Sequence, residues 1–305
     1  MLRDIKYAEL VFRLEFLEDS VLPKYKVLML NGALLNVLLS LYCINKRKCN
    51  GCNILSKCLI QKILGDNYEA DKPLILQSHY MQPYYLIDCN DNRICFRQNQ
   101  ELTFSIRLIN KAIDYISQFI YIFDQLGNIG LGPNRAKYSL IGIYNDQKKP
   151  VFQNGILHEE NIHIKSISDY IAYRKSHIKD KITLMFTTPY IQEQDHLNFF
   201  INVNNLFYSI KNRLNSLNVI EEKDMELLDE FEDDKNSINF NLNIVKRNYL
   251  ISKLKQNKTI VGFKGEISFS NEFYKLLDYL IACEKLNIGG HILLGYGRLA
   301  IKEEG

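Results

Sequence analysis

The chain has 305 residues and a mass of 35.7 kDa, a length that predicts about two domains. Because 47% of the residues are hydrophobic and only 24% are charged, a wholly disordered chain is excluded, and the 15 glycines and 6 prolines exclude collagen-like and linker-like sequences. The net charge of +3 hides an asymmetry: residues 221–234 carry nine acidic residues and one basic residue, so the rest of the chain carries +11. A basic body of this kind is compatible with a polyanionic partner such as nucleic acid.

Neither an export signal nor a membrane span is expected from the sequence. The first residues, MLRDIKYAELVF, contain acidic side chains where a signal peptide needs an uninterrupted apolar core. The most apolar stretch, Val27 to Cys43, is interrupted by polar residues and is shorter than the ~20 residues that a spanning helix needs. We therefore expect a cytoplasmic protein that makes no membrane contact.

The two halves of the sequence begin with the same succession of elements. In residues 11–16, Val11, Arg13 and Glu15 alternate with Phe12, Leu14 and Phe16, and this period of two predicts a half-buried strand. An apolar helix is predicted from about Lys26 to Leu41. The second half starts with a predicted strand at residues 181–188 and continues with helical spacing from Phe199 to Leu217.

Each half also closes with a glycine-rich segment that leads into a short β-rich stretch, near residue 130 and again at residues 289–298. This order predicts duplicated β-α-β-β-α-β units, and hence an α+β fold with two ferredoxin-like domains in tandem. The polar segment at residues 145–154 predicts the boundary, which gives domains at 1–148 and 149–305. A cysteine-rich insertion, residues 43–58, is predicted after the first helix.

Two further segments are interpreted from composition. Residues 84–96 predict a β-hairpin in which Asn-Asp-Asn supplies the turn. The acidic run at residues 221–234 predicts a solvated helix or loop.

Four of the seven cysteines form the pattern C-x5-C-x2-C-x5-C: Cys43, Cys49, Cys52 and Cys58. The central C-x2-C is a usual knuckle for a tetrahedral metal, and the outer pair could complete a four-thiolate site. The outer spacings are less common, and Cys43 also fits as the last buried residue of its helix. A structural zinc, plain buried thiols and an iron–sulfur cluster therefore stay open. A catalytic metal is not expected, because four thiolates leave no open coordination position.

The C-terminal loop combines glycines with two residues of chemical interest, and it contains Gly289, Gly290, Gly295 and Gly297 with His291 and Arg298. Glycines let a backbone approach phosphate closely and expose its N–H groups as donors, although tight turns at a sheet edge explain the same pattern. The loop is neither a Walker loop nor a dinucleotide fingerprint. His291 is singled out among the histidines because it lies inside the loop, whereas His79 is interpreted as a hydrogen-bonded turn residue.

Several blocks then resemble, in the correct order, the CRISPR repeat-processing endoribonucleases of the RAMP superfamily. Residues 261–301 are similar to the family's C-terminal signature, which is a G-F-x-G-E strand, a helix and a glycine-rich loop ending in G-x-G-R before the last strand. Residues 30–34 look like the first-helix entry, residues 130–135 like the mid-chain glycine motif, and residues 187–190 like the threonine-proline strand end. The cysteine cluster is similar to that of a cysteine-bearing branch. The resemblance covers nearly the whole chain.

The sequence departs from the family pattern near the expected active site. Family members often carry Arg where this chain has Asn31, and a basic residue where it has Gly290. They also commonly place a catalytic histidine near the start of the first helix, whereas Lys24, Tyr25 and Lys26 occupy that neighbourhood here.

The resemblance implies an enzyme of antiviral defence that binds CRISPR repeat RNA and cuts precursor transcripts into guide units without a catalytic metal or other cofactor. The ribose 2′-hydroxyl would attack the adjacent phosphate and leave a 2′,3′-cyclic phosphate and a 5′-hydroxyl, with side chains acting as base, acid and cation. We expect His291 to be the acid or base, with Tyr25 and Lys24 or Lys26 in support. Arg298, Arg135 and Lys264 are candidate phosphate contacts, as are the loop glycines. A basic stretch that could line the RNA path comprises Lys246, Arg247, Lys253, Lys255 and Lys258.

Two other interpretations stay open at this point. A non-catalytic RAMP subunit would hold guide RNA among other subunits of a CRISPR effector complex, and the missing N-terminal histidine favours that reading. A cysteine-based metal or redox protein would lose its function when Cys49 and Cys52 are changed. A homodimer is compatible with each of these.

Overall fold

The computed structural model describes residues 2–65, 68–178, 182–194, 201, 203–230, 238–251 and 254–303. The sequence predictions for residues 181, 199–200, 231–234 and 253 lie outside these ranges. No helix within these ranges has the length and apolar character needed to cross a bilayer.

The first half folds into one antiparallel sheet with helices against it. Its elements are β1 (Lys6–Phe16), β2 (Ser20–Val21), α1 (Val27–Tyr42), α2 (Leu59–Leu64), α3 (Leu74–Gln77), β3 (Tyr85–Asp88), β4 (Cys95–Phe96), β5 (Glu101–Ile109), α4 (Ile116–Ile129), β6 (Tyr138–Tyr144), β7 (Pro150–Gln153), β8 (Ile156–Leu157), β9 (Ile164–Ser166) and α5 (Ile167–Lys175). The four strands of the repeat unit lie in the order β3-β5-β1-β6, and β1 buries every second side chain as its alternation predicts. Phe12 of β1, Phe104 of β5 and Phe123 of α4 pack with ring centroids 5.1 Å apart at the centre of this core.

The second half repeats the arrangement. Its elements are β10 (Ile182–Tyr190), α6 (Val203–Ser216), α7 (Glu222–Glu230), β11 (Ile238–Ile251), β12 (Gln256–Phe269), α8 (Leu277–Leu286) and β13 (Leu299–Ile301). The strands lie in the order β11-β12-β10-β13, which matches the first sheet strand for strand. The predicted α+β fold of two tandem β-α-β-β-α-β units is confirmed. The described part of the acidic run forms α7, a helix with most of its acidic side chains at the surface.

The first sheet extends beyond the boundary expected at residue 148. β7 pairs with β6, and β9 pairs with β1, so the sheet continues to Ser166. The polar segment that suggested a linker is a tight turn around the buried Asn145, whose Oδ1 accepts the amide hydrogens of Gln147 at 2.9 Å and Lys149 at 3.0 Å. The change from the first sheet to the second therefore falls between Ser166 and Ile182.

The hairpin predicted over residues 84–96 is wrong in its pairing. β3 pairs with β5, and β4 pairs with β2, so these two strands are not partners. The connection between them wraps around the ammonium group of Lys26, which donates hydrogen bonds to the carbonyls of Asp91 at 2.9 Å and Arg93 at 2.6 Å. A contact this distant in sequence decides the path of the connection.

The two units contact each other through buried polar groups. Arg107 of β5 pairs with Glu9 of β1 and also donates to the carbonyl of Lys285 in the second unit at 2.8 Å. Asn31 of α1 donates to the carbonyl of Leu293 at 2.7 Å. These hydrogen bonds fix the glycine-rich segment of the second unit against the first helix of the first unit.

Candidate active site

The candidate site lies where the start of α1, the turn after α3 and the 289–298 loop meet, next to the β11–β12 hairpin. His291 adopts a left-handed backbone conformation with φ of 58° at the start of a short 3₁₀ turn, Ile292–Leu294. Its Nδ1 lies 2.8 Å from the hydroxyl of Ser78, which follows α3. The loop therefore presents His291 to the opposite unit rather than to its own sheet.

A second histidine lies next to His291 in the structure. It is His79, which is interpreted from the sequence as a turn residue. The rings of His79 and His291 lie 4.9 Å apart and nearly edge to face, at 68°. Both rings are almost buried, and Tyr80, which is 59% exposed, packs edge-on against His79 at 4.5 Å. The local sequence around His79 does not predict this contact, because the contact depends on how the two units dock.

The main chain of Glu193, whose side chain is buried, contacts His79. The Nε2 of His79 is 3.1 Å from the main-chain carbonyl of Glu193, which can only accept, so Nε2 carries the hydrogen of this bond. The Glu193 side chain accepts hydrogen bonds from Asn212 and Gln82. Burial raises the pKa of Glu193 to about 7, with these hydrogen bonds and the Arg213 charge opposing the shift.

The loop glycines predicted to bind RNA are buried against protein: Gly289, Gly290, Gly295 and Gly297. The Gly290 amide donates to the carbonyl of Ile191 at 2.8 Å, and the Gly297 amide donates to the carbonyl of Pro189 at 2.9 Å. A Cβ at position 297 would lie 1.7 Å from the carbonyl oxygen of Ile288. The close backbone approach that glycine permits is therefore used to dock the loop on the end of β10, and these two amides do not face a phosphate in this conformation.

Tyr25 lies at the start of α1 and is 36% exposed. The guanidinium carbon of Arg247, from β11, is 3.9 Å from the centre of the Tyr25 ring and 5.1 Å from that of Tyr296. The Tyr296 ring lies 6.2 Å from His291, and its hydroxyl is 2.8 Å from that of Tyr249. Burial keeps the pKa of Tyr296 well above its usual value, so this hydroxyl stays protonated. A chain of contacts thus connects Tyr25 to His291.

Of the two lysines that flank Tyr25, only Lys24 faces the site. The Lys24 ammonium is 5.8 Å from the Tyr25 ring, and the residue is exposed. Lys26 is buried, and its ammonium donates hydrogen bonds to the carbonyls of Asp91 and Arg93. Burial lowers the pKa of Lys26. The Lys26 ammonium therefore holds the fold in this conformation, and its predicted support of catalysis stays a prediction.

The three other predicted phosphate contacts do not converge on one point. Arg298 lies 3.6 Å from a carboxylate oxygen of Asp88, so an acidic group of the first unit partly neutralises it. Arg135 is exposed in the turn after α4, where Gly132 packs against Met29 of α1. Lys264 is exposed on β12, opposite Asn243 of β11. Their roles in RNA binding stay predictions.

The four clustered cysteines lie between the end of α1 and the start of α2, and all four line one small pocket with Tyr68 and Gln61. The Cys43 sulfur accepts the amide hydrogen of Arg47 at 3.2 Å, and the Cys49 sulfur accepts that of Ala70 at 3.4 Å. No set of three or more His, Cys, Asp or Glu side chains in the described residues has the geometry to hold a metal ion. The spacing thus brings the sulfurs into one pocket without arranging them as ligands.

Two ferredoxin-like units, docked through a glycine-rich loop that carries a histidine, each match a known family model. Residues 184–299 match the family model of the CRISPR-associated endoribonuclease Cas6, and residues 5–166 match the family model AF_1859_N, described as an N-terminal domain. The chain belongs to the Cas6/RAMP-type CRISPR-associated proteins. The family relationship predicted from the sequence is confirmed.

Solved structures share the fold at low sequence identity. A chain of a partial Cas6-RT-Cas1–Cas2 complex superposes with a TM-score of 0.58 at 13% identity, covering 98% of this chain and 46% of that one. A Cas6 product complex gives 0.55 at 13% identity, with 97% and 100% coverage, and Thermus thermophilus Cas6 gives 0.53 at 10% identity, with 98% and 99%. The chain therefore spans less than half of the Cas6-RT-Cas1–Cas2 chain and nearly the full length of these two Cas6 chains. No curated protein matches the sequence.

Proposed function

We propose that the protein is an endoribonuclease that binds CRISPR repeat RNA in the cytoplasm and cuts precursor transcripts into guide units. The Cas6 family match and the tandem fold support this activity. The observation that carries the proposal is the pair formed by His79 and His291, one from each unit, at 4.9 Å. Two neighbouring imidazoles can divide between them the base and acid roles that RNA cleavage needs, because their usual pKa lies near neutral pH.

The reaction is a transesterification that needs no metal. The ribose 2′-oxygen forms a bond to the adjacent phosphorus, the bond from phosphorus to the 5′-oxygen breaks, and the products are a 2′,3′-cyclic phosphate and a 5′-hydroxyl. A neutral histidine takes the proton of the 2′-hydroxyl, and a protonated histidine gives a proton to the leaving 5′-oxygen. Lys24 is a nearby cation that can stabilise the charge on the phosphorane. Holding the nucleotide in line supplies a further part of the acceleration.

Access to the histidines sets a condition on this mechanism. His79 and His291 are 8% and 5% exposed, so side chains around them must move before the scissile nucleotide can reach them. Tyr80, Gln82 and Asn212 line a polar cleft that reaches the residue next to His79. We therefore expect RNA binding to reorganise the turn after α3.

The test is cleavage of the host repeat RNA in excess EDTA, with analysis of the product ends. A single cut in the repeat that leaves a cyclic phosphate supports the proposal, and His291→Ala and His79→Ala should each lower the single-turnover rate at least about 100-fold. His177→Ala is the matched control, because His177 is exposed and contacts Tyr173 away from the site. Cleavage that is unchanged in both variants would remove the histidine pair from the mechanism.

The second candidate function is a RAMP subunit that holds guide RNA without cutting it. The near-complete burial of both histidines is the observation that favours it. Tight, repeat-specific binding by the wild-type protein with intact RNA after prolonged incubation would establish this function instead. Because similar chains occur in Cas6-RT-Cas1–Cas2 complexes, association with other CRISPR subunits is proposed for either function.

We also propose that the cysteine cluster takes up a structural zinc ion. Four thiols at one pocket, two of them accepting backbone N–H groups, supply the donor set that a tetrahedral zinc site uses. The present side-chain positions do not ligate a metal, so zinc would have to draw the four sulfurs together. Such a site would be structural, because four thiolates fill the coordination sphere.

A further inference from the structure

Arg247 joins aromatic side chains of both units. Its guanidinium carbon lies 3.9 Å from the centre of the Tyr25 ring in the first unit and 5.1 Å from that of Tyr296 in the second. Tyr296 is buried and its hydroxyl contacts Tyr249, so one wall of this arrangement is rigid. Tyr25 is 36% exposed, so the other wall faces solvent.

The Arg247 guanidinium has unused capacity to bind an anion. It makes no ion pair to a carboxylate in the part of the chain that the structure describes. The Tyr296 hydroxyl engages one side of the guanidinium, while its Nε is buried there without an acceptor. An Nε–H that is shielded from water and lacks an acceptor is costly unless a ligand supplies one. Lys24, 5.8 Å from the Tyr25 ring, adds a second positive charge at the same place.

We propose that Tyr25 and Arg247 form a nucleotide-binding slot for single-stranded RNA next to the cleavage site. In the free protein the guanidinium covers the Tyr25 ring. An unpaired base takes its place on the ring, and Arg247, still packed against Tyr296, pairs with the adjoining phosphodiester through its planar fork. This inference deepens the proposed function and rests on it.

The chemistry of the slot favours RNA over another protein. Aromatic faces and arginine planes are the groups on which proteins stack unpaired bases, and a guanidinium matches the geometry of a phosphodiester. The contact of Tyr296 with His291, at 6.2 Å between ring centres, would hold the bound nucleotide within a nucleotide or two of the scissile bond. The slot would thereby set the position of the cut relative to an unpaired base.

Lys246 provides a matched control for the charge of Arg247. It precedes Arg247 on β11, and successive side chains of a strand point to opposite faces of the sheet. Lys246→Ala removes the same charge from the neighbouring position of the same strand. A general electrostatic effect would appear in both variants, whereas the slot is affected only by Arg247→Ala.

The experiment measures binding of the host repeat RNA as a function of salt, together with cleavage by the same preparations. Arg247→Ala should weaken binding about tenfold and lower the slope of log K against log salt by about 0.7, the loss of one phosphate contact to a single strand. A series of repeat RNAs, each with one abasic nucleotide, would then be compared. At one position the missing base should weaken binding by the wild-type protein, and Tyr25→Ala should cause no additional loss of affinity for that RNA. Tyr25→Phe, which keeps the ring, should restore sensitivity at that position, and Lys246→Ala should retain it.

The outcomes separate the slot from the proposed function. Suppose that the wild-type protein binds and cuts the repeat and that Tyr25→Ala and Arg247→Ala bind RNA as tightly as the wild type. The slot is then overturned and the proposed function stands. Arg247 would in that case only connect the two units. An equal loss in Lys246→Ala and Arg247→Ala, with no abasic position coupled to Tyr25, also overturns the slot. A wild-type protein that neither binds nor cuts the repeat overturns both.

Discussion

His79 and His291 come from different units of the molecule, and their rings lie 4.9 Å apart because position 290 has no side chain. A Cβ at Gly290 would lie 2.6 Å from Nδ1 of His79, closer than van der Waals contact allows. The absence of a side chain at Gly290 therefore leaves room for the ring of His79, which the other unit supplies.

Gly290→Ala tests this relationship directly. The added methyl group should push the His79 ring away and lower the single-turnover cleavage rate roughly 10- to 100-fold, because small displacements of catalytic groups have large effects on rate. The rate would be measured at saturating protein so that binding does not limit it. Gly32→Ala is the control, since a Cβ there meets nothing within 4 Å. Equal rates for Gly290→Ala and the wild type would show that the pair has no part in cleavage.

Glu193 should make the stability of the protein fall as pH rises. Burial raises its pKa from 4.5 to about 7, so the folded protein holds a proton that the unfolded chain releases above pH 4.5. The stabilisation is fully present below pH 4.5 and is lost between pH 4.5 and 7, a change of about 3 kcal/mol. Glu193→Gln should therefore raise the Tm at pH 8 and flatten its dependence on pH in this range.

The comparison variant for Glu193 is Glu160→Gln, which changes an exposed carboxylate. It should leave the pH dependence of the Tm as it is in the wild type. If Glu193→Gln gives the wild-type curve, Glu193 is ionised in the folded protein at neutral pH and its charge is balanced by Arg213.

Lys26 should affect folding and Lys24 should not. Lys26→Met removes two hydrogen bonds that the buried ammonium donates and leaves the carbonyls of Asp91 and Arg93 without that donor. We expect the free energy of unfolding to fall by about 2–4 kcal/mol, measured by urea denaturation. Lys24→Met changes an exposed side chain and should stay within about 0.5 kcal/mol of the wild type. A stable Lys26→Met variant that fails to cut would instead return Lys26 to the catalytic groups.

Features that depend on local patterning could be predicted from the sequence, and features that depend on docking could not. The alternation that ends at Phe16 and the apolar run that begins at Val27 fixed the first strand and helix closely, because burial of one face dictates both periods. The path of residues 88–95 depends on Lys26, and the pairing of His79 with His291 depends on contacts between units, so neither has a local signal. The glycine loop was recognised, but the same glycines serve close backbone packing and phosphate approach, and only the fold distinguishes these uses.

The cysteine cluster should bind one zinc ion per chain, and replacement of a single cysteine should abolish the binding. Protein purified without chelator would be analysed for metal by mass spectrometry, and Cys49→Ser should abolish the metal and lower the Tm, because zinc would tie the end of α1 to the start of α2. Cys95→Ser is the control, since Cys95 is an exposed free cysteine on strand β4, outside the cluster. Metal-free wild-type protein whose Tm is unaffected by added zinc or by Cys49→Ser would identify these residues as buried thiols that only fill the pocket under α1.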